Sequence, residues 1–134
     1  MSLPERIESF LARGPYAVVG ASADREKYGN KVLRCYLQHG LDVHAVNPRM
    51  AEVEGVVSYP DLRSVPAKVR GVSVVTPPAV TEKVVEDAVA AGVEVVWMQP
   101  GAESPTAVAA AERSGLTVIA GGPCLLVALG FRDE

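Results

Sequence analysis

Two kinds of apolar pattern alternate along the chain. Short Val- and Ala-rich runs are separated by longer stretches in which apolar residues recur at helical spacing, the mark of buried strands alternating with amphipathic helices. The first helix is expected from about Pro4 to Arg13, with Ile7, Phe10 and Leu11 on one face and Gly14 as its stop. The apolar run Tyr16-Ala17-Val18-Val19-Gly20 is a strand that ends on glycine, followed by a polar loop from Ala21 to Gly29. A second helix spans roughly Asn30 to His39, its inner face carrying Val32, Leu33, Tyr36 and Leu37, and Gly40 closes it. Asp42 to Val46 is the second strand and runs into Asn47-Pro48-Arg49.

Met50 to Val69 has no clear period. Gly55, Pro60 and Pro66 interrupt it, leaving room for one short helical turn between the two prolines. Val72 to Val75 is the third strand, ending in Thr76-Pro77-Pro78, and Ala79 to Ala91 is helical with Gly92 at its end. Glu94 to Met98 is the fourth strand, followed by Gln99-Pro100-Gly101. Ser104-Pro105 is an N-cap with a first-turn proline for a helix that reaches Ser114. Leu116 to Ala120 is the fifth strand, and Gly121-Gly122-Pro123 leads into a last helix near Cys124 to Leu129. Strict alternation of this kind predicts an α/β, doubly wound parallel sheet of the Rossmann type. About five strands are expected in the order 3-2-1-4-5, with helices on both faces, in one domain over residues 1–134. Ligands on such sheets sit beyond the carboxyl ends of the strands, where strand order reverses.

Composition removes several function classes. The formal charge of −3 gives no general pull toward nucleic acid or an anionic membrane, and no apolar run reaches the roughly 18 residues a membrane helix needs. The N-terminus lacks a basic stretch followed by an apolar one, so a cytoplasmic location is expected. Cys35 and Cys124 read as free thiols, and with only His39 and His44 beside them no metal-ligand spacing is present.

The loops after the strands carry the candidate chemistry. The loop from Gly20 to Asn30 occupies the place of a dinucleotide-binding turn without matching G-x-G-x-x-G, since Ser22 replaces the second glycine. Ser22 can donate to a phosphate, the helix start near Asn30 offers free N–H groups, and Arg25, Lys27 and Lys31 add positive charge. The competing reading is a surface loop with solvated cations. After the second strand an NAD site would keep Asp or Glu for the ribose, whereas this chain has Asn47-Pro48-Arg49. A guanidinium there suits a phosphorylated ribose, either the 2′-phosphate of NADP or the 3′-phosphate of coenzyme A. Thr76-Pro77-Pro78 makes a stiff apolar ledge suited to an adenine face, although prolines also serve simply to end a strand.

Taken together, Val19-Gly20-Ala21-Ser22, Arg25, Tyr28-Gly29-Asn30, Val46-Asn47-Pro48, Gly55, Tyr59-Pro60, Val75-Thr76-Pro77-Pro78, Val96-Trp97-Met98-Gln99-Pro100-Gly101 and Cys124 resemble the CoA-binding domain family. This family comprises small bacterial and archaeal proteins related to the N-terminal domain of the succinyl-CoA synthetase alpha subunit. The resemblance implies a Rossmann-like domain that holds coenzyme A through its 3′-phospho-ADP portion. By position, Gly20, Ala21 and Ser22 would line the pyrophosphate with Arg25 and Asn30 nearby. Asn47, Pro48 and Arg49 would meet the ribose and its 3′-phosphate, Thr76 and Pro77 would flank adenine, and Gln99 and Gly101 would border the nucleotide or the pantetheine path. The apolar Gly122-Pro123-Cys124-Leu125-Leu126 departs from the basic and acidic tail of small relatives and is closer to the Gly-Pro-Asn-Cys turn of the synthetase subunit.

No complete catalytic constellation is present. His39 and His44 fall within regular elements, no Ser–His–Asp order or H-E-x-x-H occurs, and an acyl-CoA synthetase of the related type would need a phosphorylated histidine and a partner domain. Cys124 reads first as a small core residue and second as a thiol able to form a mixed disulfide with CoA. Cys35, Trp97 and Met98 read as core. The expected function is binding of CoA or an acyl-CoA as a module without its own catalysis. An NADP-binding oxidoreductase or redox sensor and a CoA-binding subunit of an acyl-CoA ligase are the alternatives. A partner protein or a second copy of the chain stays open.

Overall fold

In the computed structural model, which describes residues 1–133, the apolar runs become strands buried on both faces. In chain order the elements are α1 (Leu3–Ala12), β1 (Tyr16–Val19), α2 (Tyr28–Gln38), β2 (Val43–Val46), β3 (Glu52–Val53), β4 (Val56–Tyr59) and a 3₁₀ turn (Leu62–Ser64). They continue as β5 (Gly71–Val74), α3 (Pro78–Ala91), β6 (Val95–Met98), α4 (Pro105–Arg113), β7 (Thr117–Ile119) and α5 (Leu125–Leu129). Local signals set the helix ends. Ser2 and Glu5 form a capping box on α1, Ser104 Oγ accepts the Ala107 N–H to start α4, and Gly92 ends α3 in the left-handed region.

The sheet order is β3-β4-β2-β1-β5-β6-β7, and all pairs but β3–β4 are parallel. The Rossmann-type α/β class is therefore as the sequence indicates, with more strands than the expected five. The difference lies in residues 50–69. Glu54 (φ 50°) and Gly55 (φ 80°) make a two-residue turn between β3 and β4, the positive-φ geometry that hairpins favour. Two strands this short leave no measurable period in the sequence. With β4 counted, the parallel strands run 3-2-1-4-5-6, and the strand read as third, now β5, pairs with β1 instead of standing beyond β2.

Both faces of the sheet are covered. Phe10, Tyr16, Tyr36, Trp97 and Leu125 pack with α1, α2 and α5 on one side, while Val72, Val84, Met98, Ala107 and Ala111 pack with α3 and α4 on the other. Phe10 stacks edge-on against Trp97 with ring centroids 5.2 Å apart, and Trp97 Nε1 donates to Pro123 O at 3.0 Å. Arg6 reaches across to Val118 O at 3.0 Å, covering part of the β7 edge. Among the described residues, no helix is long and apolar enough to cross a membrane.

Candidate coenzyme site at the ends of the central strands

Strand order reverses between β1 and β5, and the chain leaves both strands there with little room. Gly20 has φ +97°, and a Cβ on it would lie 2.2 Å from Val75 O. A Cβ on Gly29 would lie 2.0 Å from Gly20 O, so the first turn of α2 rests directly on the turn after β1. Gly20 N–H donates to Val46 O at 3.1 Å, and Asn47 Nδ2 donates to Ala21 O at 2.7 Å. The loops after β1 and β2 are thereby joined, and Asn47 Oδ1 is taken by the Arg49 N–H at 2.9 Å.

Two clefts open on this seam and share Gly20 and Asn47. The first, about 270 Å³, is mostly apolar: Val19, Val46, Pro48, Pro60, Leu62, Val80 and Val84 line it, with Thr76, Lys83 and the carboxylates of Asp61 and Asp87. Lys83 is paired with Asp87 at 2.9 Å. The second, about 370 Å³, is formed by Gly20, Ala21, Ser22, Lys27, Tyr28, Gly29, Asn47 and Val75. It contains the N-terminal end of α2, where no side-chain hydrogen bond caps the helix. Uncapped N–H groups and the positive end of the helix dipole favour an anion there.

Of the residues singled out in the sequence, Gly20, Ala21, Ser22, Asn47, Pro48 and Thr76 come together in these clefts. Arg25, Asn30, Arg49, Pro77, Gln99 and Gly101 line neither of them. Asn30 is fully buried: its Nδ2 donates to Ser22 O (2.8 Å) and Glu54 Oε2 (3.0 Å), and its Oδ1 accepts from Arg34 Nε (2.6 Å). Its polar atoms hold the loop from behind. Arg25 is 3.8 Å from Glu54, and Arg49 and Pro77 are exposed beside the first cleft's rim residues Pro48 and Thr76. Gly101 sits on the exposed loop after β6, where its N–H donates to Glu103 Oε1 at 2.8 Å.

Gln99 is buried behind Tyr28. Its Oε1 accepts from Leu125 N (2.9 Å) and Tyr28 Oη (3.3 Å), while its Nε2 has no hydrogen-bond partner among the described residues. Tyr28 Oη also hydrogen-bonds Cys124 Sγ. Burial, followed by the neighbouring Cys124, pushes the Tyr28 hydroxyl above its usual range, so it stays protonated at neutral pH. Cys124 is half-buried at the start of α5 and belongs to neither core cluster. Cys35 is fully buried, and burial raises its thiol to about 11. Titration of the native protein with a thiol reagent should count one reacting cysteine, and denaturant should bring the count to two. Fast native reaction of both thiols would contradict the burial of Cys35.

The sequence reading passed over part of the first cleft. Val80, Lys83, Val84 and Asp87 are one face of α3 at i, i+3, i+4 and i+7, a spacing visible in the sequence. Pro60, Asp61 and Leu62 come from the segment read as irregular, and only the β4 pairing brings them beside β2.

The fold and the crevice at its switch point define a Rossmann-like ligand-binding architecture. A family model described as a CoA binding domain matches residues 15–130, and the chain belongs to that family. It is 34% identical over 71 residues to an ADP-forming acetate–CoA ligase of Archaeoglobus fulgidus, an alignment covering 53% of this chain and 10% of the ligase. The chain therefore spans about a tenth of the length of that curated relative. Among solved structures, a hypothetical protein from Pyrococcus horikoshii superposes with a TM-score of 0.89 at 32% identity, over 95% of this chain and 89% of that one. A dinucleotide-forming acetyl-coenzyme A synthetase of Ca. Korarchaeum cryptofilum matches with a TM-score of 0.69 at 28% identity, over 79% of this chain and 26% of the synthetase.

Proposed function

We propose that the chain binds coenzyme A, free or acylated, through the 3′-phospho-ADP portion, and that any acyl-transfer chemistry is supplied by other proteins. The observation that carries this reading is the pair of joined clefts at the switch point of a CoA-binding-family fold. One cleft is apolar and the other is formed on an uncapped helix start. The apolar cleft suits adenine, between Pro48 and Pro60 on one side and Val80 on the other. The pyrophosphate fits the second cleft, against the backbone of Gly20 to Ser22, the first turn of α2 and Lys27. Arg49, exposed next to the cleft residue Pro48 and without a side-chain partner among the described residues, would meet the 3′-phosphate in this reading. Asn47 acts by joining two loops, since both ends of its amide are already bonded. No carboxylate follows β2 to hold a free ribose diol, which disfavours NAD.

Isothermal titration with CoA, dephospho-CoA, NADP and NAD at fixed moderate salt tests the reading. CoA should bind most tightly, and loss of the 3′-phosphate should cost about 1.5–3 kcal/mol, a cost that Arg49→Ala reproduces and that does not add to it. Binding of NADP without CoA would replace this reading with the redox one. The likeness to CoA ligases favours a second role, as the CoA-holding part of a larger ligase assembly. Co-purification with a nucleotide-grasping partner would distinguish that role from a module that acts alone.

A further inference from the structure

The first cleft carries more polar side chains than an apolar seat for a base requires, and most of them are already engaged. Asn47 has both ends of its amide bonded, and Thr76 Oγ1 shares a hydrogen bond with Thr81 Oγ1 at 2.8 Å. Asp61 Oδ1 accepts from both the N–H and the hydroxyl of Ser64 at 2.9 Å, as the cap of the 3₁₀ turn. Lys83 and Asp87 differ. Lys83 Nζ donates to Asp87 Oδ1 at 2.9 Å, which uses one of its three donors, and Asp87 Oδ2 has no hydrogen-bond partner among the described residues.

An i, i+4 pair of this kind is ordinarily a solvated surface feature that contributes little. Here the Asp87 side chain is only 15% exposed, and both residues line the cleft. They stand one and two helical turns beyond Val80 on the same face of α3, so a base resting on Val80 would turn an edge toward them. Arg63, on the 3₁₀ turn, adds a second cation 4.0 Å from Asp87 Oδ1.

We infer that the Lys83–Asp87 pair reads the base: Asp87 accepts the 6-amino group of adenine and Lys83 donates to the neighbouring N7, which makes the cleft selective for adenine over a 6-oxopurine. This rests on the proposed CoA reading. Adenine presents a donor at N6 beside an acceptor at N7, and a side-chain acceptor and donor held next to each other are the complement of that edge, as when Asn or Gln pairs with it. A 6-oxopurine presents two acceptors there, so a carboxylate would face a carbonyl oxygen. The carboxylates of Asp61 and Asp87 also oppose phosphate at this end. They orient the ligand with its base along α3 and its pyrophosphate toward Gly20 and the start of α2.

The test is calorimetric titration of the full chain with CoA and with its hypoxanthine analogue, in which oxygen replaces the 6-amino group. CoA should bind at least about tenfold more tightly, within the range of a bidentate base contact. Asp87→Asn keeps the side chain's shape and adds a donor able to face the 6-oxygen. It should weaken CoA, strengthen the analogue and bring their ratio below about threefold. A gain for the analogue is a result that a damaged fold cannot give. Lys83→Met, which keeps the stem and loses the donor, should weaken both ligands alike, because N7 is common to both. Removal of the 3′-phosphate should cost Asp87→Asn as much as it costs the parent; a smaller cost in the variant would place Asp87 beside the phosphate and overturn the assignment. Equal binding of CoA and the analogue by the parent would overturn the base reading alone. A preference for CoA that survives Asp87→Asn would place the selection elsewhere and overturn it too. Failure of both ligands to bind would overturn the CoA reading with it.

Discussion

Gly29→Ala is expected to lower stability by at least about 4 kcal/mol, enough to reduce the melting temperature by about 12–20 °C in a domain of this size. The added methyl would lie 2.0 Å from Gly20 O, a backbone atom that cannot swing aside as a side chain would. Relief requires lifting α2 off the turn after β1. That movement would disturb the Asn47–Ala21 bond and both clefts, which share Gly20. Gly29 lies within α2 and has no positive φ, so its constraint is the contact alone, and a left-handed glycine in open space is the contrast. Gly101 has φ +93° with nothing within 4 Å of its Cβ, so Gly101→Ala should cost only the left-handed backbone term of about 1–2 kcal/mol. Thermal unfolding of the two variants beside the parent separates close approach from backbone strain. Equal losses would mean that the Gly29 contact is not the constraint argued here.

Asn30→Ala is expected to cost about 3 kcal/mol, because one fully buried amide serves three partners at once. Its removal strands the Ser22 carbonyl and takes the Nε acceptor from Arg34, a guanidinium only 5% exposed. Arg34 keeps Asp133 at 3.1 Å and the ring of Phe131, with its guanidinium carbon 5.0 Å from the centroid, so its charge is not left wholly unpaired. The loop from Ser22 to Lys27 should loosen, and CoA affinity should fall more than the distance from ligand to Asn30 suggests. Urea denaturation gives the stability loss, and a parallel CoA titration shows whether the loop's order matters to binding. A loss under about 1 kcal/mol would mean that solvent replaces these bonds without penalty.

The role of Asn30 also shows where sequence reading stops. Its place at the start of α2 was legible, and so was the idea of an anion site there. What the sequence could not show is that Glu54, on a hairpin turn 24 residues away, and Arg34, one helical turn on, would take up its donors and acceptor. The residues left facing the anion site are the backbone of Gly20 to Ser22 with Lys27 and Tyr28, none of which needs an unusual sequence signature. Asn47 follows the same logic: an amide at the end of β2 fitted a ribose, yet bonds to Ala21 and Arg49 occupy it. The strands buried on both faces were legible because parallel sheets demand continuous apolar runs, as in Val95 to Met98. The pair β3–β4 was not, since its register depends on a turn and a neighbour rather than on its own period. Gln99 was singled out for its place after β6, and its buried carboxamide proves to tie Tyr28 to the start of α5.

The central claim is that coenzyme A lies across the seam shared by the two clefts. Titrating ¹⁵N-labelled protein with CoA while following backbone amides tests it most directly. The account predicts saturable shifts concentrated at Gly20 to Ser22, Lys27 to Gly29 and Asn47, extending to the amides of Val80 to Val84 as adenine fills the apolar cleft. Absence of shifts, or shifts confined to residues remote from the carboxyl ends of β1, β2 and β5, would contradict it.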